Sequence, residues 1–311
     1  MSEQHRFIFD GLPVRGQWVR LTEAWQEVLR RRAANTQTGA YPPAVAELLG
    51  ELTAAAVLLR AGIKFDGTLT LQIQGDGPLK LAVAEVQSDL CLRATATLKG
   101  DVPAGAGLPE LVNAQGRGQC MVVLDPAHRR PGQQPQQGVA ALAGQPNVAG
   151  VIEHYMRQSE QLDTTLVLAA DAQTAAGLLI QRLPGSVGKS EEEAAEDYRR
   201  IALLAKTVQR AELLGLDATQ LLHRLFWQEK LLLLTPPDAN TPRFACSCSR
   251  ERMAAMLQGL GRAEVDAILR ERDAIEVGCD FCGRQEHFDA VDVASLFTPA
   301  QALASGTQTL Q

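Results

Sequence analysis

The chain has 311 residues, of which 46% are hydrophobic and 21% charged, a balance typical of a globular protein of about two domains. Its formal net charge of −6 argues against a general nucleic-acid binder, which usually carries a basic surface. No apolar run approaches the roughly 18 residues of a membrane span, and the N-terminus lacks the pattern of a secretory signal, so we expect a cytoplasmic protein with no membrane partner.

The first part of the sequence alternates predicted strands with single helices. The segments RFIF (6–9) and QWVRL (17–21) have strand composition, and a helix is predicted from Thr22 to Arg32. A long apolar helix is predicted within residues 41–67, with prolines at its start and a glycine after its end. Its many alanines and leucines predict burial on most of its faces.

A hairpin gives the clearest strand signal, in residues 67–86. Apolar and polar residues alternate on both sides of the turn GDGP. QCMVVLD (119–125) and DTTLVLAA (163–170) are further predicted strands. Residues 127–138 are predicted to be a loop rich in proline and glutamine, and a helix is predicted for 148–162.

These elements predict an α+β fold class, with a mixed α/β core domain in residues 1–183. Residues 184–238 are predicted to form a helical linker. Ser190 begins a capping-box pattern (SEEE), and the helix that follows is expected to end at Gly215. Asp217 is the predicted start of a second helix.

The predicted linker helices carry a broad apolar face. One interpretation is that this face packs permanently on the core domain. The other is that it is covered only while the C-terminal domain is folded, and that it binds apolar segments of other proteins once exposed. The residues predicted to contact such a client are Ile201, Leu204, Val208, Leu222, Leu225 and Phe226.

Four of the six cysteines form two close pairs near the C-terminus, CSC at Cys246 and Cys248 and CDFC at Cys279 and Cys282. Zinc takes four ligands in a tetrahedron, and four thiolates make a closed structural site. Each short motif can present two sulfurs to one ion. We therefore predict that these four cysteines bind one Zn²⁺ per chain.

The predicted zinc domain covers residues 239–295, and residues 296–311 are a predicted tail. A domain this small buries little apolar surface, so the metal should supply much of its folding free energy. His287 could replace a cysteine as a ligand, but with four thiols available it is predicted to be a surface or packing residue. The other two cysteines, Cys91 and Cys120, lie in strand-like runs and are predicted to be inert core thiols.

The cysteine motifs leave several functions open. A disulfide between Cys246 and Cys248 would close a small, strained ring, and strained disulfides are the labile and regulatory ones. Oxidation would then release the metal and remove the main support of the small domain, which would make the site a redox switch. The alternatives are a zinc module that only holds a surface, a zinc-dependent thiol–disulfide oxidoreductase, and a nucleic-acid-binding zinc module.

Charge and side-chain chemistry weigh against two of these alternatives. Residues 243–289 carry seven arginines and nine acidic side chains, a net charge of 7 − 9 = −2, which disfavours nucleic-acid binding. An oxidoreductase would need an exposed thiol of low pKa. The histidines are scattered and the carboxylates offer no convincing catalytic pair, so we expect that the chain is not an enzyme.

Two cysteine motifs and three longer segments carry a resemblance to a known family. The motifs are CSCSRER at 246–252 and CDFCGR at 279–284. The segments are LLGELTAAAVLL at 48–59, IKFDGTLTLQIQGDGPL at 63–79 and QSEQL at 158–162. With these residues the sequence resembles the 33 kDa chaperonin family, the redox-regulated heat-shock chaperones, over nearly its whole length.

The resemblance implies a holdase that works without ATP. In the reduced form Cys246, Cys248, Cys279 and Cys282 would bind zinc, and the chaperone would be inactive. Oxidants such as hypochlorite, or peroxide with heat, would form Cys246–Cys248 and Cys279–Cys282 disulfides and release the zinc. The zinc domain and linker would then unfold, and the chain would dimerise and hold unfolding client proteins until ATP-dependent foldases receive them.

Overall fold

The chain divides into two compact units, Met1–Ala245 (unit 1) and Cys246–Gln311 (unit 2). The structure is a computed structural model. The residues that it describes are 1–36, 38–130, 132–142, 144–184, 189–234 and 241–298. No helix in this described part of the chain combines the length and the apolar character needed to cross a lipid bilayer.

The described residues form thirteen strands, which belong to three sheets. The strands are β1 (Glu3–Phe9), β2 (Val14–Leu21), β3 (Gly67–Gln74), β4 (Leu79–Val86), β5 (Cys91–Leu98), β6 (Gln119–Pro126), β7 (Gln136–Ala141), β8 (Thr164–Ala170), β9 (Ala175–Arg182), β10 (Leu231–Leu233), β11 (Arg243–Phe244), β12 (Ala274–Gly278) and β13 (Gln285–Asp289).

Ten helices are formed by the same residues, and seven of them belong to unit 1. The helices are α1 (Glu23–Ala33), α2 (Pro43–Ala61), α3 (Leu108–Val112), α4 (Val148–Ser159), α5 (Glu191–Ala205), α6 (Arg210–Gly215), α7 (Ala218–Phe226), α8 (Arg250–Leu260), α9 (Arg262–Glu271) and α10 (Ala290–Leu296).

Unit 1 contains two large sheets. The five-stranded sheet has the order β10-β1-β2-β9-β8, and every neighbouring pair in it is antiparallel. The six-stranded sheet has the order β11-β5-β4-β3-β6-β7, and its single parallel pair is β11 with β5. In unit 2, β12 and β13 form a two-stranded antiparallel hairpin.

Helix α2 lies between the two large sheets and packs on both of them. Most of its side chains are buried, which confirms the prediction drawn from its alanines and leucines. Gly50 sits in the middle of this helix, where glycine usually costs about 0.5–1 kcal/mol. A Cβ at Gly50 would lie 2.4 Å from the Cβ of Ala170 and 3.1 Å from the Trp25 ring. The close approach of α2 to β8 therefore requires a glycine.

Helices α5, α6 and α7 cover the other face of the five-stranded sheet. Phe7 and Phe9 of β1 point to this face, and both rings contact Phe226 of α7 at centroid distances of 6.4 and 5.0 Å. Unit 1 thus has four layers in the order six-stranded sheet, α2 with α4, five-stranded sheet, and α5–α7. One hydrophobic core surrounds α2 between the two sheets, and a second lies between the five-stranded sheet and α5–α7.

Most of the predicted elements are confirmed. The strands at 6–9, 17–21, 119–125 and 163–170, the hairpin and the predicted helices correspond to β1, β2, β6, β8, β3–β4, α1, α2 and α4. The mixed α/β class is confirmed as well. Ser190 and Asp217 both cap helices as predicted, since their side chains accept hydrogen bonds from the N–H groups of Glu193 and Gln220.

Two local predictions are wrong. The loop expected at 127–138 ends in strand β7, because β6 offers a free edge that pairs with Gln136 and the residues after it despite their polar side chains. The helix expected to run unbroken to Gly215 is two helices, α5 and α6. Thr207 bonds back to the Leu204 carbonyl, and the capping box of Gln209 with Glu212 starts a new helix.

The predicted domain boundaries at 183/184, 238/239 and 295/296 stay predictions. Residues 189–234, within the predicted linker, pack on a sheet of unit 1, and β10 is one of its strands. The predicted linker residues 185–188 and 235–238, the first residues of the predicted zinc domain and the predicted tail from residue 299 lie outside the described residues.

Candidate metal centre

The first cysteine motif lies just before helix α8. Cys248 is followed by Ser249, whose hydroxyl accepts a hydrogen bond from the N–H of Arg252 at 3.3 Å and so caps the helix, as predicted from the sequence. Arg252 also donates to the hydroxyl of Ser247 at 2.6 Å. These bonds fix the chain around Cys246 and Cys248 at the start of the helix.

The second motif forms the turn of the β12–β13 hairpin. Cys279 donates its N–H to the Arg284 carbonyl at 2.9 Å, and its own carbonyl accepts from the N–H of Gly283 at 2.8 Å. Gly283 has φ 72°, a conformation that glycine adopts without steric cost. The turn therefore presents Cys279 and Cys282 on one short loop.

The four thiols meet in one cluster. Their Sγ atoms all lie within 4.8 Å of one another. The Cys246 and Cys279 sulfurs are 3.7 Å apart, and those of Cys248 and Cys282 are 3.2 Å apart. Four sulfurs bound to one zinc ion at about 2.3 Å in a tetrahedron are about 3.8 Å from each other. The cluster therefore has the size of a tetrathiolate zinc site.

The chemistry of this donor set also fits a cation. Burial, followed by hydrogen bonds with Cys282 and Cys246, raises the pKa of Cys248. Burial likewise raises the pKa of Cys279 to about 11, and the charge of Cys246 adds to the increase against two backbone hydrogen bonds that lower it. Several thiolates cannot share so small a space by themselves, whereas a divalent ion offsets their repulsion and binds the deprotonated form.

Arg250 joins the helix that follows the first motif to the chain that follows the second. Its guanidinium donates to the Glu286 carboxylate at 3.1 Å, to the His287 carbonyl at 2.9 Å and to the Asp292 carboxylate at 2.8 Å. It also lies over the Phe288 ring, 4.3 Å from its centroid. The contacts with Arg250 lower the pKa of Glu286 and of Asp292. This arginine thus ties α8 to β13 and α10.

The hydrophobic core of unit 2 is small. Cys248 and Cys279 pack against it, so the metal cluster and the core form one continuous structure. The buried residues of this core are Met253, Ala254, Leu257, Val265, Ile275, Val277, Phe288 and Val293. A core of this size supplies little folding free energy by itself, which agrees with the predicted dependence on a metal.

The remaining histidine and cysteine predictions can be placed on the structure. His287 is 63% exposed and faces Glu276 across the hairpin at 3.6 Å, outside the thiol cluster. Cys91 and Cys120 are buried in unit 1. Burial raises the pKa of Cys91 to about 11 and that of Cys120 to about 12, so neither has the acidic thiol that an oxidoreductase requires.

The six residues predicted to contact clients lie together in the core between α5–α7 and the five-stranded sheet. Five of them are buried, and Leu204 is half-buried at the edge of the same core. They are Ile201, Leu204, Val208, Leu222, Leu225 and Phe226. In this conformation the sheet of unit 1 covers them, so most of this face becomes accessible only if α5–α7 leave the sheet.

Sequence reasoning did not predict the roles of Arg250 and Gly283. The role of Arg250 depends on Glu286 and Asp292, which are 36 and 42 residues away in the sequence and give no local signal. Gly283 carried a detectable signal, because a glycine directly after a C-x-x-C pair is typical of the tight turn that two neighbouring metal ligands need.

The fold and the thiol cluster define a class of protein, one with a mixed α/β unit followed by a small unit that carries a candidate four-cysteine metal centre. A sequence model of the family described as "Hsp33 protein" matches residues 2–289. The chain therefore belongs to the Hsp33 family.

Curated relatives and one solved structure agree with this assignment. The chain is 45% identical to the 33 kDa chaperonin of Chromobacterium violaceum over 292 residues, which cover 94% of this chain and 92% of the relative. It is 41% identical to the 33 kDa chaperonin of Methylobacillus flagellatus, with 94% of each chain covered. The crystal structure of the 33 kDa chaperonin of Thermotoga maritima has a TM-score of 0.74 at 20% identity, covers 95% of this chain and 98% of its own, and shows a similar fold.

Proposed function

We propose that this chain is a redox-regulated molecular chaperone, a holdase that binds unfolding or oxidatively damaged proteins and prevents their aggregation. Membership of the Hsp33 family and the chaperonin names of its relatives support the chaperone activity. The observation that carries the redox regulation is the cluster of four thiols within 4.8 Å of one another, in a unit with a small core.

In the reduced form Cys246, Cys248, Cys279 and Cys282 would hold one zinc ion. A bound zinc ion supplies the positive charge that stabilises four thiolates and links the two motifs. The residues around it position the sulfurs: Ser249 caps α8, and the hairpin turn directs the other two thiols to the same point. The protein would be inactive as a chaperone in this form.

Oxidation would remove ligands two at a time. In each motif two thiolates lose an electron pair to the oxidant and form one S–S bond. Hypochlorous acid is reduced to chloride and hydroxide in this step, and hydrogen peroxide to two hydroxide ions. A disulfide sulfur has lost the negative charge that a zinc ligand provides, so the two motifs would no longer hold a zinc ion and unit 2 would lose its main support.

The proposed pairs are Cys246–Cys248 and Cys279–Cys282. In the thiol form Cys246 lies 3.7 Å from Cys279 and Cys248 lies 3.2 Å from Cys282, and the sulfurs within each motif are also within 4.8 Å of each other. Pairs within and between the motifs are both in reach of the cluster, and the proposed pairs are those that the resemblance implies. Peptide mapping of the oxidised protein by mass spectrometry tests the pairing, and cross-motif disulfides would contradict it.

Client binding would use the apolar face of the predicted linker. The six client-contact residues are covered by the five-stranded sheet, so we propose that activation detaches α5–α7 from this sheet. Exposed together, their side chains would form a patch suited to apolar segments of unfolded proteins. We further propose, on the resemblance, that the active form is a homodimer in the cytoplasm and passes its clients to ATP-dependent foldases.

The decisive experiment titrates the zinc-loaded protein with hypochlorite and follows zinc release and light scattering of heat-denatured luciferase in parallel. One zinc per chain should leave, and suppression of aggregation should rise over the same range of oxidant. Cys91→Ser is the matched control, because it removes a thiol outside the cluster, and it should respond as the unchanged protein does. Equal suppression by the reduced and oxidised forms would refute the redox switch.

A further inference from the structure

The five-stranded sheet of unit 1 ends at β10, and an apolar groove runs beside this edge strand. The groove lies between β10 and helix α7. Its apolar walls come from Leu222, Phe226, Trp227, Leu231 and Leu233. Because Leu231 and Leu233 are two positions apart in a strand, their side chains point to the same face, towards α7.

Large apolar side chains are exposed at this edge. Trp227 is 67% exposed, Leu233 62% and Leu234 49%. Single exposed apolar residues are common on protein surfaces, whereas a group of them beside a groove is typical of a binding site. The grouped side chains therefore indicate that the groove is an interaction surface.

The backbone of β10 determines what can bind there. The N–H of Leu234 donates to the Arg6 carbonyl at 2.7 Å, and the Lys230 carbonyl accepts from the N–H of Asp10 at 2.8 Å. In an antiparallel sheet every second residue of a strand forms its backbone hydrogen bonds with the same neighbouring strand. Residue 232, between these two, therefore also faces β1, whereas the N–H and C=O groups of Leu231 and Leu233 point away from it.

Strand β10 is only three residues long, and short edge strands, like lysine, proline, bulges and inward-pointing charges, limit strand addition. All three residues of β10 are leucines, so the strand offers a short but uncharged edge. The charges beside it are neutralised, since Glu229 pairs with Arg200 and Lys230 pairs with Asp10. An uncharged apolar segment thus fits the groove better than a charged one.

We propose that an extended apolar segment of an unfolded polypeptide adds to unit 1 as a strand beside β10. An extended backbone presents alternating donors and acceptors that match the outward groups of Leu231 and Leu233, and every second side chain enters the groove. The inference rests on the proposed function for the identity of the occupant, and it adds a site and a mode of binding to it.

The groove connects this site to the predicted client-contact face. Leu222 and Phe226 belong to that face, and both line the groove while α5–α7 are still on the sheet. Among the residues that the structure describes, Trp227 and Leu233 beside this edge are exposed before any helix detaches. Strand addition therefore provides a first, weak attachment of a client segment. Exposure of the remaining client-contact residues then enlarges the surface that binds the client.

The test uses a labelled eight-residue leucine–threonine peptide and two derivatives N-methylated at alternate amides, in complementary patterns. Binding to the zinc-loaded, reduced protein is measured by fluorescence anisotropy. The parent peptide and one derivative should bind, and the complementary derivative should bind at least tenfold more weakly, because the backbone edge that it turns towards β10 lacks N–H donors. Equal binding of all three peptides, or absence of binding by the parent, would overturn strand addition.

Two substitutions test the same contact from the protein side. Leu233→Pro removes an N–H that points away from β1 and leaves the ladder to β1 intact, whereas Leu233→Ala shortens the side chain and keeps the N–H. The proline variant should bind the peptide about fivefold more weakly than the alanine variant, the effect of about one hydrogen bond. Equal affinities would contradict the proposal, provided that both variants keep the zinc content and melting temperature of the unchanged protein.

Other occupants of the groove give different results. A chain that ends at residue 298 and binds the peptide more tightly than the full chain would show that the protein's own C-terminal segment fills the groove, and it would overturn the proposal. So would a loss of dimerisation in Leu233→Pro with unchanged peptide binding, since it would assign the edge to a second copy. Normal oxidant-dependent suppression of aggregation without peptide binding would reject the groove and leave the proposed function intact.

Discussion

The two units of the chain are stabilised in different ways. Unit 1 stacks two sheets and two helical layers. Two large hydrophobic cores fill the space between these layers. Unit 2 has a short set of buried side chains, against which Cys248 and Cys279 pack. The same chain thus joins a region held by apolar burial to a region with a small core and four clustered thiols, and we propose that an oxidant acts selectively on the second region.

The cysteines of the two units show the same contrast. Cys91 and Cys120 are buried in unit 1, outside the thiol cluster. The four cysteines of unit 2 are only partly buried and meet at one point. Burial raises the pKa of Cys91 and of Cys279 alike to about 11, so the two groups differ in exposure and clustering, not in thiol pKa.

Removal of the metal should give the largest difference between the units. Structural zinc contributes about 10–16 kcal/mol of apparent folding free energy in zinc-finger peptides at neutral pH. We expect a strong chelator under reducing conditions to unfold unit 2 and to leave unit 1 folded. Limited proteolysis would then cut within residues 246–298 and spare α2. Protease resistance of unit 2 without zinc would show that its apolar core is sufficient.

A cavity in the small core should have the next largest effect. Phe288 is buried beneath the Arg250 guanidinium, and Phe→Ala changes in cores cost about 3–5 kcal/mol. Because folding of unit 2 and metal binding are coupled, Phe288→Ala should weaken zinc binding by about 100-fold or more. Competition with a chromogenic chelator measures the change.

The control for this cavity is Val291→Ala, which shortens an exposed side chain of the same unit. Its zinc affinity should match that of the unchanged protein. A Phe288→Ala protein with unchanged zinc affinity would mean that the core of unit 2 and its metal cluster are energetically independent.

A half-buried carboxyl group, that of Glu51, should make unit 1 sensitive to pH. Burial, and then the charge of Glu47, raise the pKa of Glu51 to about 7, while Arg210 opposes the increase. Between pH 4.5 and 7 the folded state keeps a proton that the unfolded chain has lost, so the free energy of unfolding falls as the pH rises. The fall from this group is at most about 3 kcal/mol, since one pKa unit corresponds to about 1.4 kcal/mol.

Glu51→Gln should abolish this contribution, because glutamine does not titrate. Urea unfolding of unit 1, followed by tryptophan fluorescence between pH 5 and 8, should show a flatter profile and a higher stability at pH 8. Glu47→Gln should reduce the slope of the free energy of unfolding against pH only in part, because the charge of Glu47 raises the pKa of Glu51 less than burial does. If the slope is unchanged in Glu51→Gln, the Glu51 carboxyl group is not the source of the pH dependence.

Removing one helix cap in each unit should have the smallest effect on stability. The two substitutions also allow a direct comparison of the units. Ser190 caps α5 in unit 1 and Ser249 caps α8 in unit 2, and loss of such a cap costs about 1 kcal/mol. Ser249→Ala should weaken zinc binding about fivefold, whereas Ser190→Ala should lower only the stability of unit 1. An equal effect of both variants on zinc affinity would contradict the separation of the two units.

Local patterns in the sequence predicted much of the fold. Strict alternation predicted the β3–β4 hairpin, and the apolar composition of α2 predicted its burial. Strand β7 was missed because its pairing depends on the free edge of β6 and its residues are largely polar. The break between α5 and α6 was missed because it lies in the hydrogen bonds of Thr207 to the Leu204 carbonyl and of the Gln209 N–H to the Glu212 carboxylate, which leave the apolar pattern uninterrupted.

The candidate metal site was predictable to the level of residue identity. Spacing alone indicated Cys246, Cys248, Cys279 and Cys282, since each motif is a local turn that can present two sulfurs. The contacts of Arg250 depend on long-range packing and could not be predicted in this way. Nor could the sequence show that the sheet of unit 1 covers the client-contact face, because this depends on where β1 places Phe7 and Phe9.

We infer that the thiol cluster, through its metal, keeps unit 2 folded and that oxidation ends this support while unit 1 persists. Hydrogen exchange of the zinc-loaded chain, measured by mass spectrometry at each step of a hypochlorite titration, reports the stability of both units in one experiment. Amides of residues 246–298 should lose protection in proportion to zinc release, and amides of α2 should keep theirs. Continued protection of residues 246–298 after the zinc has left would show that unit 2 stays folded without its metal.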